Sequence, residues 1–163
     1  MIRRLLQRRD FERLLAVPAR LRSAHFAVHH LPVRASASGK LAPTPLPAEL
    51  STGSSTVSDE TVDNSPRAVW FGAVVPKRHA RRAVTRNLLR RQIYTAAGRH
   101  AAALPRGLWL VRLHRPFNPP GQPPRFRSAA SDALRRAAAA ELDHLMRRAA
   151  SRVPHPSRGL RRC

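Results

Sequence analysis

The chain has 163 residues, of which 31 are Lys or Arg and 9 are Asp or Glu, so its formal net charge is +22. This surplus of positive charge repels itself strongly unless it meets a polyanion, and nucleic acid and an anionic membrane surface are the first partners to consider. The chain lacks a run of about 18 apolar residues, a signal-like N-terminus and any cysteine except Cys163, which argues for a cytoplasmic protein without an internal disulfide or cysteine-based zinc site.

The first predicted elements are a helix and a strand. Leucines and Phe11 recur at helical spacing over about residues 3–16, and Pro18 follows, so the helix is expected to end there. Two histidines and an alanine then alternate with Phe26 and Val28, which is the pattern of a strand with two different faces.

A long segment, residues 35–66, interrupts the domain. It is rich in Ser, Thr and Pro, poor in aromatic residues, and holds four of the nine acids of the chain. This composition cannot support a core, so we expect a disordered insert. The rest of residues 1–150 is long enough for one α/β domain with a modest core, and residues 151–163 are predicted to form a basic, flexible tail.

Two strands and two helices are predicted after the insert. The apolar runs 68–75 and 107–115 indicate strands, and between them a helix is expected to begin near residues 78–80 and to end near Gly98. The Pro-rich segment 117–126 must be a loop, and the Ala- and Leu-rich segment 128–150 predicts a final helix. The order αββαβα is that of an α+β fold.

The helix between these two strands is the most basic part of the chain. The stretch KRHARRAVTRNLLRRQIYTAAGRH, residues 77–100, contains eight Lys or Arg residues and no acid. At about 100° per residue, Arg86, Asn87, Arg90, Arg91 and Tyr94 share one face, while apolar residues that pack lie on another. A solvated basic face is one interpretation, but acids at i,i+4 normally accompany it. We therefore predict that this face binds a polyanion; alternatively, Asn87 hydrogen-bonds a neighbouring loop.

The basic stretch also resembles the arginine-asparagine-arginine-region signature of the bacterial ribonuclease P protein component. The matching residues are Lys77, Arg78, Arg81, Arg82, Ala83, Arg86, Asn87, Arg90 and Arg91. Phe11, Phe26, Gly72 and a Leu-containing final helix follow the order that this family shows. The resemblance covers about residues 1–34 and 67–150.

The resemblance implies a fold and a division of labour. The fold would be a compact two-layer α/β sandwich with a left-handed βαβ crossover, similar to domains of some ribosomal proteins and of elongation factor G. The protein would bind a catalytic RNA subunit and precursor tRNA, and would assist removal of the 5′ leader. The RNA would carry the chemistry through RNA-bound magnesium. The protein itself would need no catalytic residue, bound cofactor, metal ligand, membrane or obligate protein partner.

The resemblance also implies two groups of binding residues. Those that would bind the catalytic RNA are Lys77, Arg78, Arg82, Arg86, Asn87, Arg90 and Arg91. Those that would lie at or near a cleft for the single-stranded leader are Phe11, Leu15, Phe26 and His29.

Some of these assignments have alternatives in the residues themselves. Phe11 and His29 could provide a platform on which bases stack, as is common in single-strand binding, but Phe11 and Phe26 could instead fill the core. Leu88 and Tyr94 stand where family members usually carry a basic residue, so RNA contacts are expected to be weaker there unless Tyr94 stacks on a base.

Four other functions compete with this interpretation. A structural RNA-binding protein of the ribosome would share the charge and size and is the main alternative, followed by a membrane-surface helix. A protein nuclease would need an acid and a base such as His79 and His100, but the few acids outside the insert lack metal-ligand spacing. A DNA-binding helix-turn-helix is disfavoured because strands flank the basic helix.

Overall fold

The computed structural model describes residues 2–36 and 68–152, which contain five strands and three helices. In chain order they are β1 (Ile2–Arg4), α1 (Arg8–Ala16), β2 (Leu21–Arg22), β3 (Phe26–Leu31), β4 (Val69–Val74), α2 (Ala83–His100), β5 (Gly107–Leu113) and α3 (Asp132–Arg152). This mixed composition confirms the predicted α+β class.

The strands form one sheet in the order β1-β4-β5-β3-β2. The central strands β4 and β5 are parallel, with Val69 opposite Gly107 and Val74 opposite Arg112. A parallel pair needs a crossover connection, and α2 supplies it. That this crossover is left-handed remains a prediction. Strand β3 runs antiparallel to both β5 and β2, so parallel and antiparallel pairing meet at β5.

The two faces of the sheet bury different cores. Because side chains alternate across a strand, Trp109 and Val111 of β5 point into the larger core with α2 and α3, whereas Leu108 and Leu110 point to α1. The sheet and the pair α2 and α3 are thus the two main layers. Helix α1 packs on the other face through the fully buried Leu14.

The first helix is shorter than predicted. Residues Ile2–Arg4 form β1, which pairs in parallel with β4 and places Arg4 opposite Phe71. The N–H of Leu5 then donates to the carbonyl oxygen of Phe71 at 2.9 Å. Pairing at a sheet edge therefore satisfies the backbone hydrogen bonds of these residues, for which the helical spacing had predicted a helix. Together with the two-residue β2, this changes the predicted order αββαβα to βαβββαβα.

The basic helix also begins later than predicted, at Ala83. Before it, the N–H groups of His79 and Ala80 donate to the carbonyl oxygen of Pro76 at 3.0 and 3.1 Å, which closes a turn. The guanidinium Nη1 of Arg86 donates to the carbonyl oxygens of Ala80 and Arg81 at 3.0 and 2.7 Å. A side chain has thus taken acceptors that a longer helix would have used.

The boundaries of the predicted insert and tail also shift. Asp10 is buried and accepts hydrogen bonds from the Ser36 N–H and hydroxyl at 2.9 and 2.7 Å, and Ala35 packs against the core beside α1. Residues 35 and 36 therefore belong to the fold, and α3 continues to Arg152. The rest of the expected insert and tail lies outside the described residues.

Candidate nucleic-acid interface

Helix α2 presents its basic side chains outward. Asn87, Arg90 and Arg91 are exposed, while Leu89 and Ile93 are almost completely buried in the larger core. The packing of the apolar side therefore sets the direction of the basic side. In the described part of the chain, the ion pairs all involve basic residues outside 77–91. The charge of this face is not neutralised by neighbouring acids.

The turn before α2 extends this basic surface. Lys77, Arg78 and Arg82 are exposed, and the two hydrogen bonds from Arg86 to the carbonyl oxygens of Ala80 and Arg81 tie the turn to the helix. Arg86 is half-buried. Its position makes it a residue that orients the turn as well as a cation on the surface, a role that spacing along a helix could not reveal.

A residue from the edge of the sheet joins the exposed face of α2. Arg4 of β1, together with Asn87, Arg90, Arg91 and Tyr94, lines an open depression of about 620 Å³. Sequence reasoning missed Arg4 because it lay inside the predicted first helix. The only signal in the sequence was its charge, which is common throughout this chain.

Tyr94 connects Arg4 to the core. The Arg4 guanidinium carbon lies 4.8 Å from the centroid of the Tyr94 ring, a cation–π arrangement. The Tyr94 ring also makes an edge contact with Phe71 at 6.0 Å between centroids. Arg4 thus places a positive charge over the ring at position 94. Leu88 packs against the larger core.

Three of the four predicted cleft residues lie on the α1 side of the sheet. Phe11 is half-buried and lies over Gly72, where a Cβ atom would be only 2.7 Å from Phe11 Cε1, so a side chain at this position would displace the Phe11 ring. Leu15 is 41% exposed. His29 is 6% exposed, and its Nδ1–H donates to the carbonyl oxygen of Val17 at 3.0 Å.

Phe26 does not lie with these residues. It is fully buried in the larger core on the opposite face of the sheet, where its ring is 5.8 Å from that of Phe117. No surface of Phe26 is available to RNA. Of the two interpretations of this residue, the structure supports core packing.

Basic residues that were not predicted surround the α1 side. Arg112 follows Leu108 and Leu110 along β5 at a spacing of two, so it belongs to the same face. Burial lowers the pKa of His29, and the charges of Arg112 and Arg22 lower it further. His29 is therefore neutral at pH 7. An Arg in the middle of an apolar strand was the signal that sequence reasoning passed over.

The histidines considered for a protein nuclease are hydrogen-bonded elsewhere. His100 Nε2–H donates to Asp143 Oδ1 at 2.7 Å, which joins α2 to α3. His79 Nε2 accepts a hydrogen bond from Arg78 Nε at 3.2 Å. Burial lowers the pKa of His79, as do the nearby charges of Arg78 and Arg112.

A third polar cluster joins α3 to the turn between β2 and β3. Glu141 accepts hydrogen bonds from the Ser23 hydroxyl at 2.5 Å and from the backbone N–H and Nδ1–H of His25, both at 2.7 Å. The serine donates to the carboxylate and not to the imidazole, so the cluster does not resemble an activated nucleophile. Within residues 2–36 and 68–152, no group of three or more His, Cys, Asp or Glu residues could hold a metal ion.

Neither α2 nor α3, the two longest helices described, is apolar enough over 18 residues to cross a membrane, and the shorter α1 is not a candidate. This finding agrees with the many charged residues on all three helices.

Comparisons with known proteins agree on one family. The family model described as Ribonuclease P matches residues 2–149. Two proteins described as ribonuclease P protein component, from Bordetella parapertussis and Bordetella bronchiseptica, are each 41% identical over 81 residues. These matches cover 50% of this chain but only 58% of each relative.

The fold has a counterpart among solved structures. The RNase P protein of Staphylococcus aureus is similar with a TM-score of 0.51 over 88% of this chain and 92% of that chain, at 15% identity. At this identity the similarity shows the fold alone. The family match over nearly all the described residues carries the assignment, and the chain belongs to the ribonuclease P protein component family.

Proposed function

We propose that this chain is the protein subunit of a ribonucleoprotein ribonuclease P, which removes the 5′ leader from precursor tRNA. The observation that carries the proposal is the basic surface of α2 and the turn before it, which has no acidic partner among the described residues. Family membership supports the same function. In this proposal the protein binds RNA in the cytoplasm and requires no protein partner.

The basic surface would bind the catalytic RNA. Lys77, Arg78 and Arg82 approach phosphates from the turn, while Arg90 and Arg91 do so from the helix. Arg guanidinium groups suit this role because they donate forked hydrogen bonds to phosphate oxygens. Binding through such contacts weakens steeply as salt rises, because each contact releases counterions from the RNA.

The α1 side of the sheet would hold the leader. Phe11 presents a partly exposed aromatic ring, and Leu15 adds apolar surface beside it. Arg22 and Arg112 provide positive charge near the neutral His29. Neighbouring aromatic and cationic groups are the combination by which proteins bind single strands without reading their sequence.

The catalytic RNA would carry out the hydrolysis, with magnesium bound to its phosphates. Among the described residues, the candidate acid–base side chains His25, His79 and His100 are hydrogen-bonded to Glu141, Arg78 and Asp143 respectively. The protein's contribution would be to reduce repulsion between the two RNAs and to position the leader. That the protein has no catalytic residues of its own remains a prediction.

Reconstitution tests this function. The purified protein should leave precursor tRNA intact in magnesium, whereas adding the catalytic RNA should give cleavage at the mature 5′ end at magnesium concentrations where the RNA alone is slow. Cleavage by the protein alone, lost in His79→Ala or His100→Ala, would show a protein nuclease. RNA binding without any stimulation of cleavage would favour a structural RNA-binding protein.

A further inference from the structure

The Pro-rich segment after β5 forms a cavity with the beginning of α2. This cavity has a volume of about 470 Å³ and lies between the turn at residues 78–82 and the loop at residues 116–129. The predicted binding residues Arg78 and Arg82 line one side of it, but most of its wall comes from the loop, which has no part in the proposed function. The volume is within the range of ligand sites, about 300–1,000 Å³.

The loop is held in place by specific contacts. Thr85 Oγ1–H of α2 donates to the carbonyl oxygen of Ala129 at 2.6 Å. The Asn118 side chain donates to the carbonyl oxygen of Phe126 at 2.7 Å and accepts from the N–H of the same residue at 2.9 Å. Phe117 stacks on His25 with 4.0 Å between ring centroids. These contacts hold the loop that forms most of the cavity wall in a defined position.

The wall of the cavity combines an apolar part with a cationic rim. The apolar part consists of a largely buried floor, formed by Leu89, Leu134, Phe117 and Phe126, and of the exposed Pro120 and Pro124 beside it. The cations at the rim are Arg78, Arg81, Arg82 and Arg127, all of which are exposed. None of the lining residues is an acid. A purely apolar ligand would leave the arginines unused, whereas a small inorganic anion would leave the apolar wall uncovered.

We propose that this cavity binds one unstacked nucleotide of RNA, with its phosphate among the rim arginines and its base against the apolar wall. Proteins commonly recognise RNA by accepting bases that have left the stack. Choosing RNA over another nucleotide-bearing ligand rests on the proposed function. The cavity adjoins the surface proposed for the catalytic RNA, so a single RNA could occupy both.

Binding by the protein alone is the first test, with adenosine 5′-monophosphate as the probe followed by amide chemical shifts. The shifts of Ser128 and Ala129 should saturate at concentrations at least about fivefold lower with the nucleotide than with inorganic phosphate, because base contacts of this kind are strong. Adenosine alone should also bind more weakly than adenosine 5′-monophosphate. Equal binding of phosphate and nucleotide, or shifts confined to Arg90 and Arg91, would overturn the nucleotide assignment.

Three variants sharpen the test. Ser128→Trp should fill the cavity without changing the charge and remove nucleotide binding, and Arg127→Ala should weaken it. Arg136→Ala is the control, because Arg136 is exposed on α3 and does not line the cavity. Circular dichroism would verify that each variant folds. Equal effects of the two arginine changes, or full binding by a folded Ser128→Trp variant, would contradict the proposal.

The same variants identify the source of the nucleotide. If it belongs to the catalytic RNA, Arg127→Ala should weaken binding of that RNA and reduce the log–log salt slope by about 0.7–0.9, while binding of precursor tRNA stays unchanged. The reverse pattern would assign the cavity to precursor tRNA. No loss with either RNA would overturn the proposal while reconstituted cleavage still supports the proposed function. Failure of reconstitution, with nucleotide binding intact, would reject only that function.

Discussion

Arg90 and Arg86 lie about one turn apart on α2 but differ in their surroundings. Arg90 is exposed, whereas Arg86 also holds the carbonyl oxygens of Ala80 and Arg81. Arg90→Ala should weaken catalytic-RNA binding and reduce the log–log salt slope by about 0.7–0.9, the value for one phosphate contact. Arg86→Ala should weaken binding and also lower the melting temperature, since two hydrogen bonds are lost, and the double change should flatten the slope further.

Salt titrations of RNA binding and thermal unfolding would measure these effects. Arg136→Ala is a suitable control, because Arg136 is exposed on α3 and does not line the surface of α2. Unchanged slopes for both Arg90→Ala and Arg86→Ala would remove α2 from the RNA interface.

Arg4 should contribute to the same surface although it belongs to another element. Removing it in Arg4→Ala should weaken catalytic-RNA binding and reduce the salt slope by about 0.7–0.9. Adding Tyr94→Arg in that background should restore the slope, because it places a cation on the same depression. Salt titration of the single and double variants measures both effects. If the second change restores nothing, Arg4 does not supply the charge missing at position 94.

The cleft residues should act on the leader and not on the body of the tRNA. Phe11→Ala or His29→Ala should weaken binding of precursor tRNA more than binding of mature tRNA, because only the precursor has unstacked leader bases to place on the α1 side of the sheet. Comparing the two substrates with one variant in one assay cancels any general loss of folded protein. Phe26→Ala should lower stability without this selectivity, since Phe26 is fully buried. Equal losses for both tRNAs in the first two variants would discard the cleft assignment.

At the scale of elements, one carboxylate joins α3 to the turn between β2 and β3. Burial alone would raise the pKa of Glu141, but hydrogen bonds from Ser23 and His25 outweigh it and lower the pKa below its ordinary 4.5. A carboxylate with a lowered folded-state pKa stabilises the fold at neutral pH, and its contribution is lost as the pH falls through the folded pKa.

Glu141→Gln should therefore reduce the free energy of unfolding at pH 7 by about 1–3 kcal/mol, because hydrogen bonds to a charged group are lost and an amide donor meets other donors. The difference from the wild type should shrink as the pH falls below 4.5. Denaturant unfolding across this pH range measures it. Glu12→Gln, at an exposed pair with Arg8, should change stability by less than about 1 kcal/mol. A constant difference at all pH values would show that charge on Glu141 is not responsible.

At the scale of the whole molecule, the domain should tolerate a shorter insert. Replacing residues 38–63 by a short Gly/Ser linker keeps Ser36, which is anchored on Asp10, and Ala68, whose carbonyl oxygen accepts from the N–H of Gly107. Because closure entropy changes slowly with loop length, folding and RNA assembly should remain largely intact. Thermal unfolding and RNA titration at moderate salt would measure this. Unfolding of the shortened chain, or a loss of RNA affinity, would show that residues 38–63 are needed for folding or for RNA binding.

The sequence by itself determined the elements with enough residues to show a period. The strands around Phe26, Phe71 and Trp109 and the two long helices carry repeated local patterns, and the basic side of α2 follows from its packed side. The motif around Arg86 and Asn87 led to the family without any tertiary information. These features are local, so neighbouring residues in the chain were sufficient to predict them.

Only the tertiary structure decided how distant residues meet. Strand β1 has three residues, too few to show a period of two, and it forms because β4 offers an unpaired edge. The same pairing brings Arg4 to Tyr94, and the direction of Phe26 depends on which core fills each face of the sheet. The loop cavity likewise requires α2 to meet a Pro-rich segment far along the chain. Pairing and packing are non-local, so no window of sequence contains them.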